Sequence, residues 1–232
     1  MSNGTYFSSD QTVALASRAG FIRQSYLYLC VALAGFLGLS ALLFASGAGY
    51  ALLKLLGASQ WGWLLVLGAF MVVGIMATRL ADQGERHAQQ LLGLGIYVLA
   101  QAIIFSPLLA IAAVIDPTVI PTAGIVTAML VAGLTFTAFT TKKDFSFLAP
   151  ILTIAGFIAL GVIVCAILFG FELGVLFSGA MVCFAAGCVL FDTSRIIHHY
   201  PADRPAGAAL HLFASIALML WYVISLLLRM RE

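Results

Sequence analysis

Long apolar runs alternate with short polar breaks along this chain, and the runs set its architecture. Seven stand out: Tyr26–Ala45, Trp61–Thr78, Leu91–Val114, Thr122–Thr140, Phe147–Phe169, Leu173–Ile196 and Leu210–Leu228. Each is close to the ~20 residues that cross a hydrocarbon core as a helix, at about 1.5 Å per residue. None alternates with the period of two that a barrel strand needs, and all exceed the roughly 10 residues of such a strand. In hydrocarbon every backbone N–H and C=O must be bonded inside the structure. The pattern therefore predicts an all-α integral membrane protein, a seven-transmembrane helix bundle.

The breaks fill in the organisation. Residues 1–22 are polar and mixed and are expected to form an N-terminal tail, disordered at its start, ahead of a seven-helix transmembrane domain over 23–232. Residues 115–121 read as a tight turn, and spans five and six, joined by a few residues around Glu172, as a helical hairpin. The first apolar run exceeds the 7–15 residues of a signal-peptide core, so it is expected to stay in the protein. Pro107, mid-span, is expected to kink span three, because it removes a backbone donor and crowds the preceding turn. Gly35, Gly38, Gly93, Gly95, Gly124, Gly133, Ala185, Ala186 and Gly187 are expected to let helices approach closely.

Composition agrees. Of 232 residues 63% are hydrophobic and 9% charged, against about 25% charged in a soluble domain. A net charge of +2, with basic residues scattered at span ends, gives no footprint for nucleic acid. The tail and the breaks after spans two, four and six hold Arg18, Arg23, Arg79, Arg86, Lys142, Lys143, Arg195 and Arg204; the other side holds Lys54, Arg229 and Arg231. This bias places the N-terminus in the cytoplasm. Cys30, Cys165, Cys183 and Cys188 lie in apolar runs without a CxxC and read as small buried hydrophobes.

One residue stands out chemically. The 24 residues from Leu168 to Phe191 hold one charge, Glu172, and then comes Asp192. A carboxyl that deep in an apolar run is costly, and a membrane helix that keeps one uses it or pairs it. On a helix Cys188, Arg195 and His199 share its face. Burial favours the neutral carboxyl and a nearby guanidinium the charged one. The pair Asp192–Arg195 is therefore either a protonation switch, latched at neutral pH and released in acid, or an inert pair at the membrane edge. Arg79, at the same side of the membrane, is a second candidate partner.

The other polar motifs say less. In the loop 140–147, Asp144-Phe145-Ser146 is expected to cap the next helix. The adjacent His198 and His199 point to different helix faces and read as solvated. His211 has no evident partner in the sequence. Zinc pairs and phosphate loops are missing, Ser178-Gly179 lacks the first glycine of a serine-protease motif, and a second well-placed acid is missing within the spans. Neither an enzyme nor a bound cofactor or metal is expected.

Seven spans, the loop Thr-Thr-Lys-Lys-Asp-Phe-Ser-Phe (140–147) and the stretch Leu190-Phe191-Asp192-Thr193-Ser194-Arg195-Ile196-Ile197-His198 resemble the Bax-inhibitor-like transmembrane family, over nearly the whole chain. Ile22-Arg23-Gln24-Ser25-Tyr26 is similar to the entry into span one in the bacterial YccA branch. The resemblance implies two roles in a bacterial cytoplasmic (inner) membrane. One is a modulator and slow substrate of the ATP-dependent membrane protease FtsH, which would engage the tail from Met1, Ser2 and Asn3 onward. The other is a pH-sensitive leak for Ca2+ or H+ that uses acids in the last two spans, with Asp192 as the gate and Arg195 and Arg79 beside the ion path. The span-seven acid has no match around Leu218 and Met219, and the family's Gly-Pro in span three is Ser106-Pro107 here. A lone carboxylate is a thin site for Ca2+, which takes six to eight oxygens.

Overall fold

The computed structural model describes residues 4–57, 60–83, 86–141 and 143–231, with the backbone alone from Gly4 to Ala16. The described residues form eight helices and no strand: α1 (Gly4–Ala45), α2 (Ala48–Gly57), α3 (Gln60–Gln83), α4 (His87–Ile115), α5 (Val119–Thr141), α6 (Leu148–Phe169), α7 (Val175–His198) and α8 (Pro205–Arg229). Seven are long and apolar enough to cross a membrane, and they are the seven read from the sequence.

Side chains sort by neighbour. Leu65, Met129, Phe157 and Leu176 point away from the bundle, as they must where lipid is the solvent. The last helix, α8, is the most enclosed and packs on α1, α3, α4, α5 and α7. At the rim, α6 buries only Ala159 and Ala166 and packs on α7 and α3. The cysteines correct the expectation of burial: Cys30, Cys165 and Cys183 are exposed on the lipid-facing surface and Cys188 is half-buried, all as free thiols.

Two elements differ from the sequence reading. Helix α1 starts well before Tyr26; Phe21 and Ser25 are buried, so residues 18–22 pack with the bundle, whereas Met1, Ser2 and Asn3 lie outside the described residues. The short α2 was hidden in a break too short to span. It follows Gly47, whose φ of +73° suits glycine, and packs on α4, where a Cβ on Gly49 would meet the Ser106 carbonyl oxygen at 2.6 Å. Pro107 lies inside a continuous α4. The carbonyl that its missing N–H leaves free is Ile103 O, which accepts the Ser106 hydroxyl at 2.8 Å.

Glycine packing is selective. A Cβ at Gly93 would lie 2.6 Å from Ala77 O and 2.7 Å from Ala81 N on α3, and one at Gly187 3.0 Å from Leu152. At Gly38, Gly95, Gly124 and Gly133 it would meet nothing within 4 Å. Sequence gives all of these the same packing role; only the first two are tight.

Contacts between breaks support seven crossings. The breaks after spans two, four and six meet at one end: His199 Nε2 is 2.7 Å from Asp144 Oδ2, and Arg204 donates to the Asp82 carbonyl. At the other end Arg231 pairs with Asp116 and donates to Thr118 Oγ1 at 3.1 Å. The first of these ends is called inner below, after the charge count that assigns it to the cytoplasm. There Arg18 spreads its guanidinium over the end of α7, donating to Ile197 O (3.0 Å), Tyr200 O (2.5 Å) and Ile196 O (2.8 Å). These are the carbonyls a helix C-terminus leaves unpaired, and a cation suits that end of the dipole.

Candidate functional site

Asp192 sits in the last third of α7 and is 8% exposed. Its Oδ2 accepts the hydroxyl of Ser215 on α8 at 2.5 Å. A hydrogen bond from a hydroxyl thus takes the place expected for an ion pair. Among the described residues Asp192 has no ion pair: Arg195 lies over the rings of Phe191 (5.5 Å) and Tyr200 (5.4 Å), while Arg79 is exposed. His199 goes to Asp144, and Cys188 flanks Asp192 one turn earlier.

Ser215 carries no charge, and the sequence around Leu218 and Met219 marks this part of span seven only by its lack of an acid. The available signal was His211 and Ser215, polar residues four apart and so on one face of span seven.

A second cluster, also missed, lies at the inner end. His211 Nε2 is 2.9 Å from Asp82 Oδ2, the Tyr200 hydroxyl donates to Asp82 Oδ1, and Arg204 donates to the Asp82 backbone oxygen. His211 therefore has a partner. Gly207 makes the approach possible: a Cβ there would fall 2.5 Å from Asp82 Oδ1 and 2.7 Å from the Tyr200 hydroxyl. Burial and then the bond to Asp82 push the Tyr200 phenol far above its ordinary range, so it stays a donor. Asp82 escaped notice because Arg79 and Asp82 end the apolar run, which placed the limit of span two at Thr78 instead of Gln83.

The loop 143–147 is anchored too. Asp144 Oδ1 accepts the Ser146 hydroxyl at 2.6 Å and the Ser146 N–H at 2.9 Å, and the Phe145 N–H donates to Ser194 Oγ at 3.0 Å. The Ser146 hydroxyl first and His199 second hold the Asp144 carboxyl well below the usual carboxylate range. The helix cap itself is Phe147, with no side-chain bond, so Asp144 orders the turn before the helix instead of capping it. Lys142 lies outside the described residues.

One cavity reaches the Ser215 that holds Asp192, and another lies at Asp82. The outer one, about 490 Å³, is lined by Trp63, Gln101, Ser178, Trp221 and Arg229 among others, and reaches Ser215. Gln101 is 7% exposed and its Oε1 has no hydrogen-bond partner among the described residues, so the cavity suits water or another donor. The inner one, about 410 Å³, is lined by Thr78, Arg79, Asp82 and Tyr97. Groups of three or more His, Cys, Asp or Glu side chains placed to hold a metal do not occur among the described residues. What the arrangement can do is hold a proton at a buried carboxyl whose hydroxyl partner borders a cavity.

These features define a multi-pass helical membrane protein whose sixth span buries an acid against a hydroxyl of the seventh. The family model described as "Inhibitor of apoptosis-promoting Bax1" matches residues 18–232, and the chain belongs to that Bax inhibitor family. It is also similar to an uncharacterized protein of Pseudomonas aeruginosa, 36% identical over 84 residues. That stretch is 35% of this chain and 37% of the relative, so the match spans little more than a third of the relative's length.

Proposed function

We propose that this protein is a non-enzymatic, acid-opened ion leak of a bacterial cytoplasmic membrane, with Asp192 as the gate. The observation that carries this reading is the outer cavity ending at Ser215, whose hydroxyl is bound to the buried Asp192. Charged Asp192 attracts the Ser215 hydroxyl strongly and ties α7 to α8. Protonated Asp192 is a weaker acceptor, so acid loosens the tie. Arg195, held over two rings, keeps positive charge near the inner end of the path, and Arg79 does so in the inner cavity. Pro107 and Cys188 line neither cavity wall named above and serve packing.

The test is ion flux in liposomes at pH 6 and pH 8 with wild type and Asp192→Asn. The wild type is expected to leak faster at pH 6. The asparagine variant, which cannot titrate, is expected to show no difference in leak between the two pH values. Identical flux in the two proteins at both pH values would remove the gate.

A second reading has its own observation. Helix α1 runs through 4–16 before the first span begins at Ser17. Such an extension, on the cytoplasmic side, offers a handle to a membrane protease of the FtsH type. Deleting residues 2–15 is expected to abolish co-purification with the protease and to lengthen the chain's own half-life several-fold. Unchanged capture and turnover would end this role. The two readings are compatible.

A further inference from the structure

The outer cavity reaches Ser215 beside Asp192, the inner cavity is lined by Asp82, and one histidine on α8 bonds Asp82. On α8, His211 precedes Ser215 by four residues, which puts the two side chains on one face with about 5–6 Å between Cβ atoms. Ser215 holds Asp192, and His211 holds Asp82, which lines the inner cavity. The outer cavity, Ser215–Asp192, His211, Asp82 and the inner cavity therefore follow one another along the bundle. We infer that His211 is a proton relay between Asp192 and Asp82, and that the ion this protein passes is H+ and not Ca2+. The inference rests on the leak reading above and specifies its cargo.

The chemistry is that of an imidazole with two nitrogens. A carboxylate only accepts, so Nε2 carries the proton that faces Asp82 Oδ2, 2.9 Å away. Nδ1 is then the basic nitrogen. A proton leaves the Asp192 carboxyl, crosses the single helical turn through a water or the Ser215 hydroxyl, and bonds to Nδ1. The imidazolium so formed breaks its Nε2–H bond and gives that proton to Asp82 Oδ2. Asp82 releases it to the inner cavity, Asp192 takes a new proton from the outer cavity by way of Ser215, and a water-mediated shift of the remaining ring proton from Nδ1 to Nε2 restores the starting tautomer. One proton enters, one leaves, and no electron moves.

The surroundings fit this cargo better than a divalent cation. Beside His211 stand Asp82 from α3, the Tyr200 ring from the connection before α8 and Asp192 from α7; Arg204 donates to the Asp82 carbonyl, Arg195 of α7 acts on both acids, and Arg18 of α1 holds the Tyr200 carbonyl. The guanidinium groups of Arg18, Arg79, Arg195 and Arg204 near the inner end, and Arg229 in the lining of the outer cavity, repel a divalent cation. Asp192 faces a hydroxyl instead of a second carboxylate, far short of a calcium shell.

The experiment uses the full chain in liposomes with a pH-sensitive dye inside and, in parallel, a calcium-sensitive dye. Wild type is expected to pass H+ and no Ca2+. His211→Gln, which keeps a donor for Asp82, is expected to pass H+ at least about tenfold more slowly, since losing a proton-transfer group typically costs 10²–10⁴-fold. His211→Ala is expected to regain flux when imidazole is added, a rescue that a misfolded bundle would not show. Full flux in His211→Gln, or lost flux without imidazole rescue in His211→Ala, overturns the relay and leaves the leak standing. Ca2+ flux without H+ flux in wild type does the same. Wild-type vesicles tight to both ions overturn the leak, and the relay with it.

Discussion

Gly93→Leu is expected to unfold at a markedly lower temperature than wild type, whereas Gly95→Leu unfolds as wild type does. Two residues apart on α4, these glycines face different worlds. The Cβ of any residue at 93 would press on the backbone of α3, 2.6 Å from Ala77 O and 2.7 Å from Ala81 N, and backbone cannot swing aside like the end of a side chain. At 95 a side chain meets nothing within 4 Å and enters lipid. Overpacking typically costs 1–3 kcal/mol, and a leucine against backbone belongs at about 3 kcal/mol or above. At ~2–4 °C per kcal/mol for a chain of this size, the shift is roughly 6–12 °C. Thermal unfolding of the three proteins in detergent checks it; equal midpoints would mean that α3 and α4 do not meet at Gly93.

The second large effect is a gain. Ser215→Asp would set a second carboxylate against Asp192, since Ser215 Oγ already touches Asp192 Oδ2 at 2.5 Å. Without a cation, two buried like charges repel and the variant is expected to be less stable than wild type at pH 8. Calcium, a hard ion that seeks carboxylate oxygens, should restore it. At a concentration a hundredfold above its Kd a ligand adds about 2.7 kcal/mol. That corresponds to roughly 5–10 °C at ~2–4 °C per kcal/mol. Wild type should not respond. A calcium shift of equal size in both proteins would show that the cation binds elsewhere.

Much of this was legible in the sequence because lipid enforces a simple rule. A run of about 20 apolar residues has one stable form in hydrocarbon, so seven runs became seven spans. The cost of burying Asp192 was equally plain. Its partner was not, because pairing depends on how α7 and α8 are rotated and staggered, and one sequence holds no record of that. Arg195 was the neighbour along the helix, yet its long side chain found aromatic faces while the short Ser215 filled the gap across the interface. Limits were misjudged where polar residues sit on packed helix: Ser17 to Ser25 lowered the hydropathy of α1 although Phe21 is inside, and Arg79 with Asp82 cut α3 short. The Asp82–His211–Tyr200 cluster joins residues more than a hundred positions apart, beyond any local pattern.

The clasp of Arg18 on the end of α7 has a bearing on biogenesis. Its acceptors lie 178 to 182 residues downstream, and the core helix that most others pack on, α8, follows them in the chain. Helix α1 can meet α4 midway, yet its guanidinium clasp and its contact with α8 wait until α7 and α8 have been inserted. Half-made chains would linger in the membrane with an unclaimed guanidinium and a hollow centre. Contacts of such long range are slow to form, and quality-control machinery would have an extended interval in which to act on nascent molecules.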